Sequence, residues 1–108
     1  MTDNRKKCVL TNVVEEELSI LERHVRILKK LINKQPMGII KLSEETGFPQ
    51  HMVRYSLHVL EKEGLVEPSP RGAVTAENLD DAVTQLLEKL KKINKISGEL
   101  ITEIQNSS

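Results

Sequence analysis

Apolar positions recur at helical spacing in four stretches of this chain, with a short strand-like segment before the last. In the first stretch, Val14, Leu18, Leu21, Val25, Leu28 and Ile32 alternate at four and three residues. Ile20, Ile27 and Leu31 form a second row beside them, so one row can cover a core while the other meets a partner chain. Asn12 and Glu15 fit a capping box with Asn in place of Ser or Thr, which predicts a helix over residues 13–33 or 13–34. Glu15, Glu16 and Glu17 at its start and Lys29, Lys30 and Lys34 at its end suit the helix dipole. Pro36 stops it, because the residue before a proline avoids helical geometry.

Ile39 and Leu42, then Val53, Leu57 and Leu60, line one side of two further helices, predicted over residues 41–46 and 49–63. Gly47 follows SEET, where a helix must end and the chain must reverse; glycine tolerates the left-handed conformation of such a turn. Pro49 suits a first helical turn, and Phe48 is expected to pack the turn into the core. Residues 37–40 can add a short strand. Residues 65–67 and 73–75 read as two strands joined by the PSPRG turn. The last helix, over residues 77–104, carries Leu79, Val83, Leu86, Leu90, Ile93, Ser97, Leu100 and Ile104 as a heptad seam with Ser97 as its one polar member. Ser97 and Gly98 together weaken that helix and invite a kink.

Two short helices around a tight turn are the layout of a helix-turn-helix, whose second helix can lie in the major groove of DNA. The run Val53, Leu57, Leu60, Glu61, Gly64, Leu65, Val66 matches, without a gap, the V-x-x-x-L-x-x-L-E-x-x-G-L-V pattern that precedes the wing of winged-helix proteins. Residues 15–75 therefore resemble the winged helix-turn-helix family, and most closely its small archaeal predicted transcriptional regulators. The resemblance implies a mostly α fold with a small β-wing, here followed by a long coiled-coil-like C-terminal helix. It implies DNA binding less specifically than it implies the fold, since winged helices also dock on proteins. The expected organisation is a flexible N-terminal arm over residues 1–12, a winged-helix DNA-binding domain over 13–75, and a C-terminal helix over 76–108 that dimerises.

Composition narrows this further. With 108 residues and 2% aromatic content, the core must be small and built from Leu, Ile and Val, so oligomerisation is expected to support it. Residues 76–108 form a helix too long to bury its seam on a small domain already capped by the first helix. A homodimer through Leu79, Val83, Leu86, Leu90, Ile93, Leu100 and Ile104 is expected, the alternative being that the helix folds back on its own winged helix. No apolar run approaches the roughly 20 residues that span a bilayer, and the N-terminus lacks the apolar core of a secretion signal. No membrane partner is expected. The single cysteine, Cys8, excludes an internal disulfide and fits a cytoplasmic protein.

The formal net charge is zero, which weakens the case for nucleic acid. Between Gln35 and Gly72, four positive residues meet five negative ones, leaving one negative charge. The acids, however, fall on the second helix, at the end of the third, and beyond it. Residues 48–60 hold none, and carry His51, Arg54 and His58. Any DNA-binding face is therefore local.

With Val53, Leu57 and Leu60 inward, the third helix presents Gln50, His51, Arg54, Tyr55 and His58. Gln50 can pair with adenine and Arg54 with guanine, while the others reach phosphates or base edges. The plainer alternative is that Arg54 and Tyr55 are ordinary surface residues on a helix that docks on protein. Arg71 at the wing tip suits the minor groove or a phosphate, or is a plain turn residue. Ser43 and Thr46 either touch the DNA backbone or act as local caps. Ser56 allows close approach to a neighbouring element, and His24, between Arg23 and Arg26, is expected in solvent.

His51 and His58 are seven residues apart with no Cys or carboxylate at ligand spacing, so no metal site is expected. Neither a catalytic motif nor a phosphate loop is present, and no cofactor or enzyme activity is expected. No element is dedicated to a small-molecule effector, although an interface between two copies could hold one. Together these features predict a sequence-specific DNA-binding transcriptional regulator acting as a homodimer on double-stranded DNA. The alternative is a winged-helix adaptor in a transcription or replication assembly.

Overall fold

The periodic stretches fold into four helices and one antiparallel strand pair within residues 8–107, the part of the chain that the computed structural model describes. In chain order these are α1 (Val9–Asn33), α2 (Ile39–Thr46), α3 (Gln50–Lys62), β1 (Val66–Glu67), β2 (Val74–Thr75) and α4 (Leu79–Gln105). The chain divides into one compact unit ending at Ala76 and a second beginning at Glu77.

In the first unit, α1 starts earlier than Asn12 suggested. Cys8 holds the N-cap position, and Thr11 N–H donates to its carbonyl at 3.2 Å. The Thr11 hydroxyl donates to Glu15 Oε2 at 2.6 Å, an i,i+4 bond that supports the first turn and leaves Asn12 inside the helix. Of the arm expected over residues 1–12, residues 1–7 lie outside the described residues.

Helix α1 is 25 residues long, about 37 Å at the usual helical rise. It meets α2, α3 and β2. Ile27, Leu28 and Leu31 are its buried positions, whereas Val14, Leu18 and Ile32 are exposed. The core-facing side is thus centred on the second apolar row, joined by Leu28. Leu42 of α2, Val53, Leu57 and Leu60 of α3, and Val66 of β1 complete the core with Met37, Ala73 and Ala76. Phe48 is half-buried at the turn.

The wing is short. Val66 pairs with Thr75 and Glu67 with Val74. In place of a strand over residues 37–40, a single bridge joins Met37 to Ala73. Met37 N–H donates to Ala73 O at 3.1 Å and Ala73 N–H to Met37 O at 2.9 Å, and α2 already begins at Ile39. Gln35 extends this tie, accepting Thr75 N–H on Oε1 at 2.8 Å and donating from Nε2 to the Thr75 hydroxyl at 3.1 Å.

The second unit is α4, 27 residues without a break. It continues through Ser97 and Gly98, where Thr102 Oγ1 donates back to the Gly98 carbonyl at 3.1 Å. Asp80 and Asp81 in its first turn complement the helix dipole. No residue of α4 is buried, and Ile93, Ile96, Leu100, Ile101 and Ile104 are exposed apolar side chains.

Candidate nucleic-acid interface

The turn between α2 and α3 is braced by short local bonds. Gly47 adopts φ 83° in the left-handed region, and its N–H donates to Ser43 O at 2.9 Å, closing α2. Ser43 Oγ donates to the Phe48 carbonyl at 2.6 Å. Thr46 Oγ1 donates to Leu42 O at 2.6 Å and accepts Phe48 N–H at 3.3 Å. Of the two roles open to Ser43 and Thr46, the capping role accounts for these bonds. They fix the direction in which the chain leaves α2.

Pro49 then holds the N-cap position of α3, one residue before the helix, and its carbonyl accepts Met52 N–H and Val53 N–H at 3.0 Å. Val53, Ser56, Leu57 and Leu60 are the buried residues of α3. A helix that buries this side must present the opposite arc. That arc holds Gln50, His51, Arg54, Tyr55 and His58, all exposed. Gln50 and Arg54 border a shallow groove of about 570 Å³ with Gly38, Ile39, Ile40, Lys41 and Glu44 from the start of α2.

Arg71 is exposed in the wing turn. Ser69 shapes that turn by accepting Arg71 N–H on Oγ at 3.3 Å and donating to the Gly72 carbonyl at 2.5 Å. The predicted side chains therefore share exposure, and Arg71 stands on a separate element from the other five.

Two residues of α1 that the sequence did not single out for the site, Arg23 and His24, hold α3 through its own Ser56. Ser56 is fully buried, and Arg23 Nε–H donates to its hydroxyl at 2.8 Å. His24 Nδ1 lies 2.8 Å from the same oxygen. His24 is thus half-buried against α3 and not in solvent, and Ser56 is a bonded joint as well as a point of close approach. Burial, and then the adjacent Arg23 charge, hold the His24 imidazole below its ordinary pKa. Arg23 also stacks its guanidinium 5.8 Å from the Tyr55 ring centroid, and the His24 ring is 6.1 Å from it. Tyr55 is consequently 55% exposed, with part of its ring engaged by α1. One signal did mark this joint: a serine at an inward position of an apolar helix face needs a partner.

Two turns further along α1 from Arg23, Lys30 pairs with Glu45 of α2 at 3.6 Å, and Glu45 also pairs with Lys41 of its own helix at 3.5 Å. Partial burial raises the Glu45 pKa, but Lys34, Lys41 and Lys30 outweigh it and leave the carboxyl below its usual value. This acid of α2 is neutralised by its own neighbours, which reduces its repulsion toward a nearby phosphate.

Residues 19–68, covering most of α1, all of α2 and α3, and β1, match the family described as bacterial regulatory protein, arsR family. Over this segment the chain is similar to the helix-turn-helix domain of that family. Among curated proteins, none matches the chain. The ArsR-family domain is a DNA-binding regulator domain, so double-stranded DNA is the ligand class it implies. The second wing strand and α4 follow the matched segment. Among the described residues, no helix is long and apolar enough to cross a membrane.

Proposed function

We propose that the chain is a sequence-specific transcriptional regulator that binds double-stranded DNA as a homodimer in the cytoplasm. One observation carries the reading. The exposed arc of α3, from Gln50 to His58, is free of acids and presents Gln50 and Arg54, two side chains able to bond base edges, on a helix fixed by the braced turn at Gly47. Arg71 in the wing would add a phosphate or minor-groove contact. In α4, Leu79, Val83, Leu86, Leu90, Ile93, Leu100 and Ile104 would form the dimer seam, supported by the exposure of Ile93, Leu100 and Ile104. Two-fold symmetry then places two copies of α3 on a roughly palindromic site. The reading assigns the chain no catalytic role and no resident cofactor.

Mobility shift with genomic fragments across a salt series, with sequencing of the bound pool, tests this. Retention of a few sites that weakens as salt rises supports a regulator, because each neutralised phosphate releases counterions. The absence of retention even at low salt would favour the adaptor reading. That second reading draws on the zero formal charge of the chain and on the surplus of one acid between Gln35 and Gly72.

A further inference from the structure

Ser56 is the one buried polar side chain among the described residues, and it sits on α3 between Tyr55 and Leu57. Two groups of α1 converge on its hydroxyl at the same 2.8 Å distance, Arg23 Nε and His24 Nδ1. A guanidinium has only hydrogens to offer, so Ser56 Oγ is the acceptor toward Arg23. Among the described residues, His24 Nδ1 is the one acceptor bonded to Ser56 Oγ, and it takes the Ser56 hydrogen when the imidazole is neutral with its own hydrogen on Nε2. Protonation reverses that bond. Nδ1 becomes a donor, the Ser56 hydrogen loses its acceptor, and a second positive charge stands beside Arg23.

Arg23 is the charged neighbour of His24 on its own helix, and Tyr55 is the titratable neighbour from α3. Among the described residues, no carboxylate bonds to His24 to offset the added charge. Burial and Arg23 both favour the neutral ring, so the three-way bond is intact near neutral pH.

We propose that Arg23, His24 and Ser56 are positioning residues for the exposed arc of α3. Their shared bond fixes the rotation of α3 on α1, and protonation of His24 releases it, so that DNA affinity falls on mild acidification. The link to affinity rests on the DNA-binding reading above.

His24→Asn retains a neutral acceptor close to the position of Nδ1 and does not titrate. The affinity of the full chain for one bound fragment is measured for parent and variant at about pH 7.5 and about pH 5.5. The parent is expected to weaken in acid, relative to the variant, by about threefold or more. Equal acid-to-neutral ratios would overturn the proposal and leave the DNA-binding reading standing.

A second readout needs no DNA. Tyr55 is the only tyrosine in a chain without tryptophan, so intrinsic emission reports on it alone. In the free protein, the parent's emission should show an acid limb that His24→Asn lacks; superimposable curves would overturn the joint. Failure of both proteins to bind DNA at either pH would overturn the DNA-binding reading and the link to affinity, and the Tyr55 curves would then decide the joint alone. If circular dichroism shows that His24→Asn is unfolded, His24→Gln is measured in its place, with the same outcomes.

Discussion

Gly72 runs so close to Met37 that a Cβ on Gly72 would lie 2.6 Å from the Met37 carbonyl carbon and 2.8 Å from its oxygen. Both obstacles are backbone, which cannot rotate away as a side-chain tip can. Gly72 also adopts φ 128°, a conformation that other residues rarely take. Gly72→Ala should therefore break the Met37–Ala73 bridge and destabilise the winged helix by about 1–3 kcal/mol in urea unfolding. An unchanged midpoint would show that the wing can shift away from Met37 without cost.

The two apolar rows of α1 lead to a paired prediction. Leu31 is fully buried while its neighbour Ile32 is 47% exposed. Leu31→Ala should cost about 2–5 kcal/mol, the range for emptying a packed site. Ile32→Ala should cost under about 1 kcal/mol, and thermal unfolding of the two variants side by side tests the assignment. A larger loss for Ile32→Ala would mean that this row is covered in solution by something else.

Arg54 is the side chain on the exposed arc best suited to guanine. Arg54→Ala should weaken binding to a selected site by about 1–3 kcal/mol and relax preference at the contacted position. Binding titrations against the site and its single-base variants provide the test. Equal affinity of parent and variant would remove Arg54 from the interface.

Dimerisation through α4 predicts that Leu90→Lys yields monomers in sedimentation at concentrations where the parent is a dimer. A charge placed in an apolar seam has no partner in a two-fold interface, because its symmetry mate carries the same charge. An unchanged mass would show that the seam of α4 does not hold the dimer.

Stability should also depend on pH through His24. Its folded pKa lies below the ordinary value of about 6.5, so the unfolded chain binds the proton more readily. The contribution is fully present above that ordinary value and is lost as pH falls through the folded value. Thermal midpoints should drop more steeply for the parent than for His24→Asn across this window. Parallel profiles would mean that His24 titrates alike in both states.

Much of the fold was legible along the chain because the information is local. Helix periodicity, a glycine after SEET, and two strand-like segments around PSPRG each concern residues within one turn or one hairpin of each other. The bracing of Ser43, Thr46 and Gly47 follows the same short-range logic, as does the exposure of Gln50, His51, Arg54, Tyr55 and His58 opposite Val53, Leu57 and Leu60. The start of α1 was less legible. The Asn12 and Glu15 pairing resembled a cap, but the Thr11–Glu15 bond carries the helix back to Val9.

Packing alone decided the rest. Both rows of α1 are apolar at helical spacing, and only packing against α2, α3 and β2 selects Ile27 and Leu31 over Val14 and Leu18. The partners of Ser56 lie 33 and 32 residues away on another helix, too far for any spacing rule to reach. His24 looked like a solvated residue between two arginines, and became a half-buried neighbour of Tyr55 only because α1 crosses α3 at that point. Periodicity specifies which way each element faces. What it faces depends on long-range contacts that no single stretch of sequence contains.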